Sequence, residues 1–232
     1  MVRKKGQSKN SKIRHLITKQ NPKSPISEQF RTIRTNLQFA SVDEELKTIL
    51  LTSSGPSEGK SSSIANLAVV YAQQGKKVLL VDADLRKPTV HYTFRLDNLT
   101  GLSNYLVGEM ALAETISETS VENLDVISCG PIPPNPSELL GSRKMERFIQ
   151  EAGMSYDVIL FDTPPVLAVT DAQILANLCN GSLLVIRSKQ TEFDAAKKAI
   201  EVLQSAKAKF LGTILNDREK KEANYYYYYG TN

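Results

Sequence analysis

The sequence predicts an α/β fold, a single domain built on a mostly parallel β-sheet with helices on both faces. Three observations carry that prediction. Short apolar runs recur along the 232 residues without strict alternation, as expected of strands covered on both sides. Helical patterns separate them, so strand and helix alternate along the chain. The length suits one domain, with a core that buries most of the surface its unfolded chain exposes.

Taken in order, KSPISEQFRTIRTNLQF reads as a helix with Ser24 as N-cap and Pro25 in its first turn. At 100° per residue, Ile26, Phe30, Ile33 and Leu37 share one face and are predicted to dock on the domain. Glu28, Arg31 and Arg34 fall on another sector, which reads either as a solvated face with a local ion pair or as a subunit contact. TILLTSS is the first strand, and a helix over 60–74 ends at Gly75. KVLLVDAD follows as a strand, with LDVIS at 124–128 a weaker candidate. A helix over 136–152 opens with NPSE. YDVILFDTPP, GSLLVIRS and FLGTILND complete the strands, with helices over 171–179 and 192–207 between them. Ligands of such sheets sit at the carboxyl ends of the strands.

Charge is distributed unevenly. The formal net charge is +4, yet residues 1–27 hold Arg3, Lys4, Lys5, Lys9, Lys12, Arg14, Lys19 and Lys23 and no acid. Subtracting those eight positive charges leaves a formal −4 on the rest. Residues 1–23 are therefore expected to form a flexible basic arm, solvated or weakly attracted to an anionic membrane surface or acidic partner. Two cysteines, Cys129 and Cys179, make neither a disulfide framework nor a metal cluster, and suit a reducing compartment. No apolar run approaches the ~18–20 residues that span a bilayer, and no apolar signal segment follows the basic N-terminus. A cytoplasmic chain is expected.

The chemistry gathers at the strand ends. LLTSSGPSEGKSS follows a strand and opens a helix, the context a phosphate-binding P-loop requires. Backbone N–H groups of Ser57, Glu58, Gly59, Lys60, Ser61 and Ser62 can wrap phosphate at a helix N-terminus. Lys60 reaches the β- and γ-phosphates, and the Ser61 hydroxyl is placed for Mg²⁺. The loop departs from GxxxxGK[ST] in having Ser54 at the first glycine, with Gly55 one place later. Ser57 stands where a more flexible residue would be easier. The next strand ends in DADLR, carrying Asp82, Asp84 and Arg86, and a later one ends in FDTPP, carrying Asp162. Carboxylates leaving the tips of parallel strands can converge on the loop and complete a site for Mg²⁺, which prefers hard oxygen ligands. Asp162 suits the Walker B role, with Asp84 and Ser61 beside it as metal ligands. Asp82 and Asp84 form an extra acidic pair, one of which could serve as the base for an incoming hydroxyl. Arg86 either stabilises transition-state charge or pairs with a carboxylate. Asn216, closing the last strand, is placed to read a nucleotide base. The whole predicts a P-loop NTPase fold that binds a nucleoside triphosphate with Mg²⁺.

Several segments together resemble one family. EQFRTIR at 28–34, TSSGPSEGKS at 52–61, VDADLRKP at 81–88, CGPIPPNPSELLGS at 129–142, LFDTPP at 160–165 and the tyrosine-rich tail are similar to the bacterial tyrosine kinases of capsule and exopolysaccharide synthesis. The resemblance runs from about residue 22 to the end. It implies ATP as donor and tyrosine as acceptor. Lys60 and Ser61 would take the Walker A roles, Asp82 and Asp84 the second acidic motif, and Asp162 Walker B. It also implies ring-like homo-oligomers through Glu28, Arg31 and Arg34 on a helix at 24–40, which opens a kinase domain expected over 24–217. The further partners it implies are the cytoplasmic tail of a membrane activator, a phosphotyrosine phosphatase and protein substrates. No nucleic acid is expected. Where the family often has Pro-Gly in the loop, this chain has Pro56-Ser57.

The tail explains itself in that light. Residues 218–232 are read as flexible, and Tyr225, Tyr226, Tyr227, Tyr228 and Tyr229 as phosphoacceptors on a neighbouring subunit's site. An ATP-driven dimerisation switch of the cell-division and partition type is the competing reading, since it shares this fold. Its signature lysine is absent, because Ser54 occupies that place.

Overall fold

The structure, a computed structural model, describes residues 16–40 and 46–219. Within them the chain runs α1 (Ile17–Gln20), α2 (Pro25–Phe39), β1 (Thr48–Ser53), α3 (Lys60–Ala72), β2 (Val78–Asp82), α4 (Val90–Phe94), α5 (Leu102–Val107), α6 (Leu112–Thr115), β3 (Ser117–Glu118) and β4 (Leu124–Ile127). It continues through α7 (Pro136–Leu140), α8 (Arg143–Ser155), β5 (Val158–Asp162), α9 (Asp171–Ala176), β6 (Gly181–Arg187), α10 (Phe193–Gln204) and β7 (Lys209–Asn216). The strands form one sheet in the order β3-β4-β2-β5-β1-β6-β7. Every pairing is parallel except the short β3–β4 ladder.

The apolar runs become strands because a central parallel strand needs apolar side chains on both faces. β1, β2 and β5 are buried at every position. Alternate residues feed two cores. Ile49, Leu51, Leu80 and Leu160 pack with α3 and α2 on one face. Leu50, Leu79, Ile159 and Phe161 pack with α5 and α8 on the other. There Phe148 meets Tyr105 and Phe161 edge-on, with ring centroids 5.4 and 6.3 Å apart. A third, smaller cluster of Leu184, Ala199 and Leu203 lies under α10. α3 lies almost wholly inside the protein, as a helix with apolar residues all round must.

Three local expectations need correction. The basic arm does not stay free to residue 23: from Leu16 the chain is folded onto α3. Thr18 is fully buried, its backbone N–H and hydroxyl both donate to Asn66 Oδ1 (3.0 and 2.8 Å), and its carbonyl accepts from Gln73 (3.0 Å). Those polar partners lie about fifty residues away and leave no local signal. The docking face of α2 also differs: Leu37 is buried, Phe30 and Ile33 are partly so, but Ile26 remains 47 % exposed. Its turn is anchored instead by Ser27, whose hydroxyl donates to the Asn21 carbonyl at 2.7 Å. The single helix expected over 136–152 is two, because Gly141 ends α7 and Ser142 caps α8 by accepting the Met145 N–H at 3.3 Å.

The expected N-cap Ser24 does accept from Ser27 N–H, with Pro25 in the first turn. The stretch between β2 and β4 folds into α4, α5, α6 and β3, each of six residues or fewer. Elements that short complete too few turns to show a period.

Candidate active site

The P-loop joins β1 to α3 at the carboxyl edge of the sheet. Gly59, the N-cap of α3, adopts φ +96°. Only glycine serves there, since an added Cβ would stand 2.1 Å from the Asn216 amide nitrogen. Ser57 also adopts a left-handed φ, of +65°. A non-glycine residue is strained in that region, so the position where flexibility was expected is met by strain instead.

Glu58 has a different task from the one its place in the loop suggested. Its side chain turns inward, 5 % exposed. There it accepts the N–H groups of Ser54 (2.8 Å) and Gly55 (3.1 Å) and the hydroxyls of Ser54 (2.7 Å) and Thr191 (2.5 Å). A carboxylate so engaged staples the loop to itself and to the β6–α10 connection, and only the Glu58 main chain is left to face a ligand. The Glu58 carbonyl accepts from Asn216 Nδ2 at 3.0 Å. Arg187 reinforces the same wall, donating to the Ser57 carbonyl (3.3 Å) and pairing with Asp217 (2.7 Å). Ser62 is half-buried in the first turn of α3.

Lys60 stands at the centre of the carboxylates. Its ammonium is 2.9 Å from Asp84 Oδ2, 3.3 Å from Asp162 Oδ1 and 3.3 Å from the Ser61 hydroxyl. Burial opposes its charge, but Asp162, Asp84 and Asp82 outweigh burial and raise its pKa, so it stays protonated. Asp82 and Asp162 are register partners on β2 and β5 and are fully buried. Burial, then the neighbouring Asp162, pushes the Asp82 carboxyl up to about 7, against the N–H groups of Val90 and Thr89 and the charge of Lys60. Those two N–H groups donate to Asp82 Oδ2 at 2.9 Å each, and Asp84 N–H reaches Oδ1 at 3.3 Å. Burial also raises the Asp162 pKa, with Lys60 opposing.

The donor set fits Mg²⁺. Asp162 Oδ2 is buried without a hydrogen-bond partner, an anomaly that a hard cation or its water would remove. Asp84 and the Ser61 hydroxyl add oxygen donors around Lys60. Among the described residues no group of three or more His, Cys, Asp or Glu side chains forms a complete metal cage. That suits an ion whose remaining ligands are phosphate oxygens and water.

Arg86 lies apart from this cluster. Its guanidinium makes a two-pronged pair with the fully buried Asp171, at 2.9 and 3.0 Å. Asp171 and Thr191 both escaped the sequence reading. Asp171 carried only a helix-start signal, and Thr191 sits in a loop with none. Of the three polar residues on α2, Glu28 and Arg31 bond each other, whereas Arg34 turns inward and donates to the Val70 carbonyl on α3 at 2.8 Å. The five tail tyrosines lie outside the described residues. A cleft of about 390 Å³ lined by Lys77, Glu122, Asp125 and Tyr156 opens at the start of β2 and β4, the opposite edge of the sheet from the P-loop.

Comparison with known proteins agrees with this geometry. An AAA domain family model matches residues 46–210. Tyrosine-protein kinase YwqD of Bacillus subtilis is 53 % identical over 94 % of this chain and 92 % of its own length. The kinase domain of Escherichia coli tyrosine kinase ETK superposes with a TM-score of 0.86 at 36 % identity, covering 99 % of this chain and 89 % of that one. A more distant likeness is the septum site-determining protein MinD of Pyrococcus horikoshii, solved with Mg-ADP. It has a TM-score of 0.64 at 27 % identity and covers 75 % of this chain and 72 % of that one. A P-loop NTPase fold, a P-loop lysine paired with Asp84 and Asp162 and a relative sharing half its residues over nearly the whole length lead to one conclusion: this chain belongs to the bacterial tyrosine-protein kinases.

Proposed function

We propose that the protein is an ATP-dependent tyrosine autokinase whose acceptors are Tyr225 to Tyr229 on a neighbouring copy, and that it regulates capsule or exopolysaccharide synthesis. The observation that carries the reading is Lys60, held between Asp84 and Asp162 at the mouth of the P-loop with Asp82 behind. ATP would lie along the loop, its β- and γ-phosphates on the N–H groups of 57–62 and on Lys60. Asn216 and the wall formed by Arg187 are the nearest candidates for the base end.

Transfer needs a phenol oxygen in line with the γ-phosphorus. The oxygen–phosphorus bond forms as the bond to the bridging oxygen breaks, ADP leaves with that electron pair, and the phenol proton passes to Asp82. A base whose pKa lies near neutrality suits that task. Mg²⁺ held by Ser61, Asp84 and Asp162 would supply charge neutralisation across the phosphates. Arg86 serves less directly, since its guanidinium is held on Asp171.

Glu28 and Arg31 on α2 support a contact between copies in a ring. Arg34 would shape it from inside the subunit by fixing α2 to α3. The site of action proposed is the cytoplasmic face of the membrane, where an activator's cytoplasmic tail recruits the kinase and a phosphatase resets it. Among the described residues no helix is long and apolar enough to cross a membrane.

The test is to incubate the protein with Mg-ATP and activator tail and map phosphate by mass spectrometry, with Lys60→Met as control. Phosphate on the tail tyrosines that disappears in the control is expected. Mixing Lys60→Met protein with an active copy lacking residues 220–232 should still label the Lys60→Met tail, because transfer is between copies. The likeness to MinD favours a second reading, an ATP-driven dimerisation switch. Against it, Ser54 holds the place of that class's lysine, its hydroxyl bonded to Glu58. ATP hydrolysis with no tyrosine labelled would favour the switch and sink the kinase assignment.

A further inference from the structure

Asp84 is placed differently from the other two carboxylates. Asp82 and Asp162 end β2 and β5 and face each other across a ladder, so the sheet sets their separation. Asp84 lies two residues past the end of β2, in the segment that leads to α4. Lys60 ties its Oδ2 to the P-loop, but its other contacts are short-range: its N–H reaches Asp82, and its Oδ1 accepts Lys87 N–H at 3.0 Å. A turn held by its neighbours and one long, flexible lysine can pivot about the strand end.

The Arg86–Asp171 pair supplies a second long-range tie to this turn, and a more rigid one. Asp171 is fully buried, and both of its oxygens are taken by Arg86, at 2.9 and 3.0 Å. Asp171 opens α9, at the end of the segment that begins with Asp162. That segment is itself fastened to the P-loop strand. Thr163 donates to the Leu51 carbonyl through both N–H (3.1 Å) and hydroxyl (3.0 Å), Thr52 donates to the Pro164 carbonyl (2.7 Å), and Val166 N–H donates to Ser53 (2.9 Å). The ties thus run in a closed circuit: β1, the 162–171 segment, Asp171, Arg86, the two-residue backbone step from Arg86 to Asp84, Lys60 and back to the P-loop. A planar two-pronged pair fixes direction as well as distance, and a buried carboxylate cannot exchange its partner for water.

We infer that Asp171, acting through Arg86, is a positioning residue that holds Asp84 opposite Asp162 and so sets the divalent-ion affinity of the nucleotide site. The inference rests on the Mg-ATP reading of that site. Asp171 has both oxygens engaged by Arg86 and so is not itself a ligand of the ion. Its effect is on where one ligand of the ion stands, as outer partners of metal ligands commonly act.

The experiment compares wild type, Arg86→Gln, Arg86→Lys and the double variant Arg86→Gln/Asp171→Asn, which leaves no unpaired buried charge. Two affinities are read on each: ADP in EDTA, by a fluorescent analogue, and Mn²⁺ with ADP saturating, by paramagnetic resonance titration. Loss of the pair should weaken Mn²⁺ about tenfold and leave metal-free ADP binding unchanged. Arg86→Lys, which keeps the charge but not the two-pronged geometry, should fall between. Mn²⁺ affinity within twofold of wild type in the double variant would overturn the inference, whatever happens to its melting temperature. Equal weakening of both affinities also overturns it, since a general distortion does not distinguish metal from nucleotide. Wild type that binds no Mn²⁺ with ADP would instead overturn the nucleotide reading, and this inference with it.

Discussion

Replacing Asp82 with Asn should stabilise the nucleotide-free protein at neutral pH while abolishing most of its phosphotransfer. Asp82 is fully buried, and burial together with Asp162 pushes its carboxyl from 3.8 up to about 7. A carboxyl with a folded pKa above its unfolded value holds its proton more tightly in the folded state. Stability from this group is therefore complete below about pH 4 and is lost as pH rises through about 7. At ~1.4 kcal/mol per pH unit, the span from about 4 to about 7 corresponds to roughly 4 kcal/mol of destabilisation at pH 8. Asparagine keeps an acceptor for the Thr89, Val90 and Asp84 N–H groups but carries no charge, so it stands in for the protonated carboxyl. The gain at pH 8 should therefore be of that order, a rise of several °C in Tm for a domain of this size. Thermal melts of both proteins in EDTA at pH 4, 6 and 8 measure it. The gain should be largest at pH 8 and disappear at pH 4. A variant no more stable than wild type at pH 8, or a difference that does not change with pH, would refute the account of Asp82 as a strained buried carboxylate.

Other outcomes follow from the loop. Ser57→Gly should relieve the left-handed strain at φ +65° and stabilise the protein by about 1 kcal/mol, read by denaturant titration. Gly59→Ala should cost at least ~1 kcal/mol and weaken ADP binding more than tenfold, since its Cβ would meet Asn216 at 2.1 Å; isothermal titration gives the affinity. Glu58→Ala leaves the N–H groups of Ser54 and Gly55 without their acceptor and should lower stability by about 2–4 kcal/mol. In that variant hydrogen exchange of residues 54–59 should quicken.

The main strands, the long helices, the P-loop and the aspartates at the strand tips were legible in the sequence, because each rests on local pattern; the short elements between β2 and β4 and the break at Gly141 were not. An apolar run declares a buried strand, a glycine and a lysine after it declare a phosphate loop, and an aspartate after four apolar residues declares a strand end. The carboxylate cluster could be foreseen for the same reason: parallel strands deliver their ends to one edge. Side-chain partners were not legible. Glu58 was placed only by its main chain, and its side chain is a staple reaching Thr191, 133 positions away. Arg34 looked like a surface charge and reaches Val70 on α3. Arg86 had two readings of equal standing until Asp171, 85 positions on, proved to hold it. Thr18 lay in what read as a solvated arm and is buried on Asn66. Each of these contacts involves a polar group, on one partner or the other, whose burial is tolerable only with that contact, and the sheet, not the local sequence, brings the two together. Period and composition determined by themselves which segments become strands and helices, and so where phosphate chemistry gathers. Packing across the sheet decided which charges face that site and which hold it in shape, since that choice depends on groups that meet only once the chain is folded.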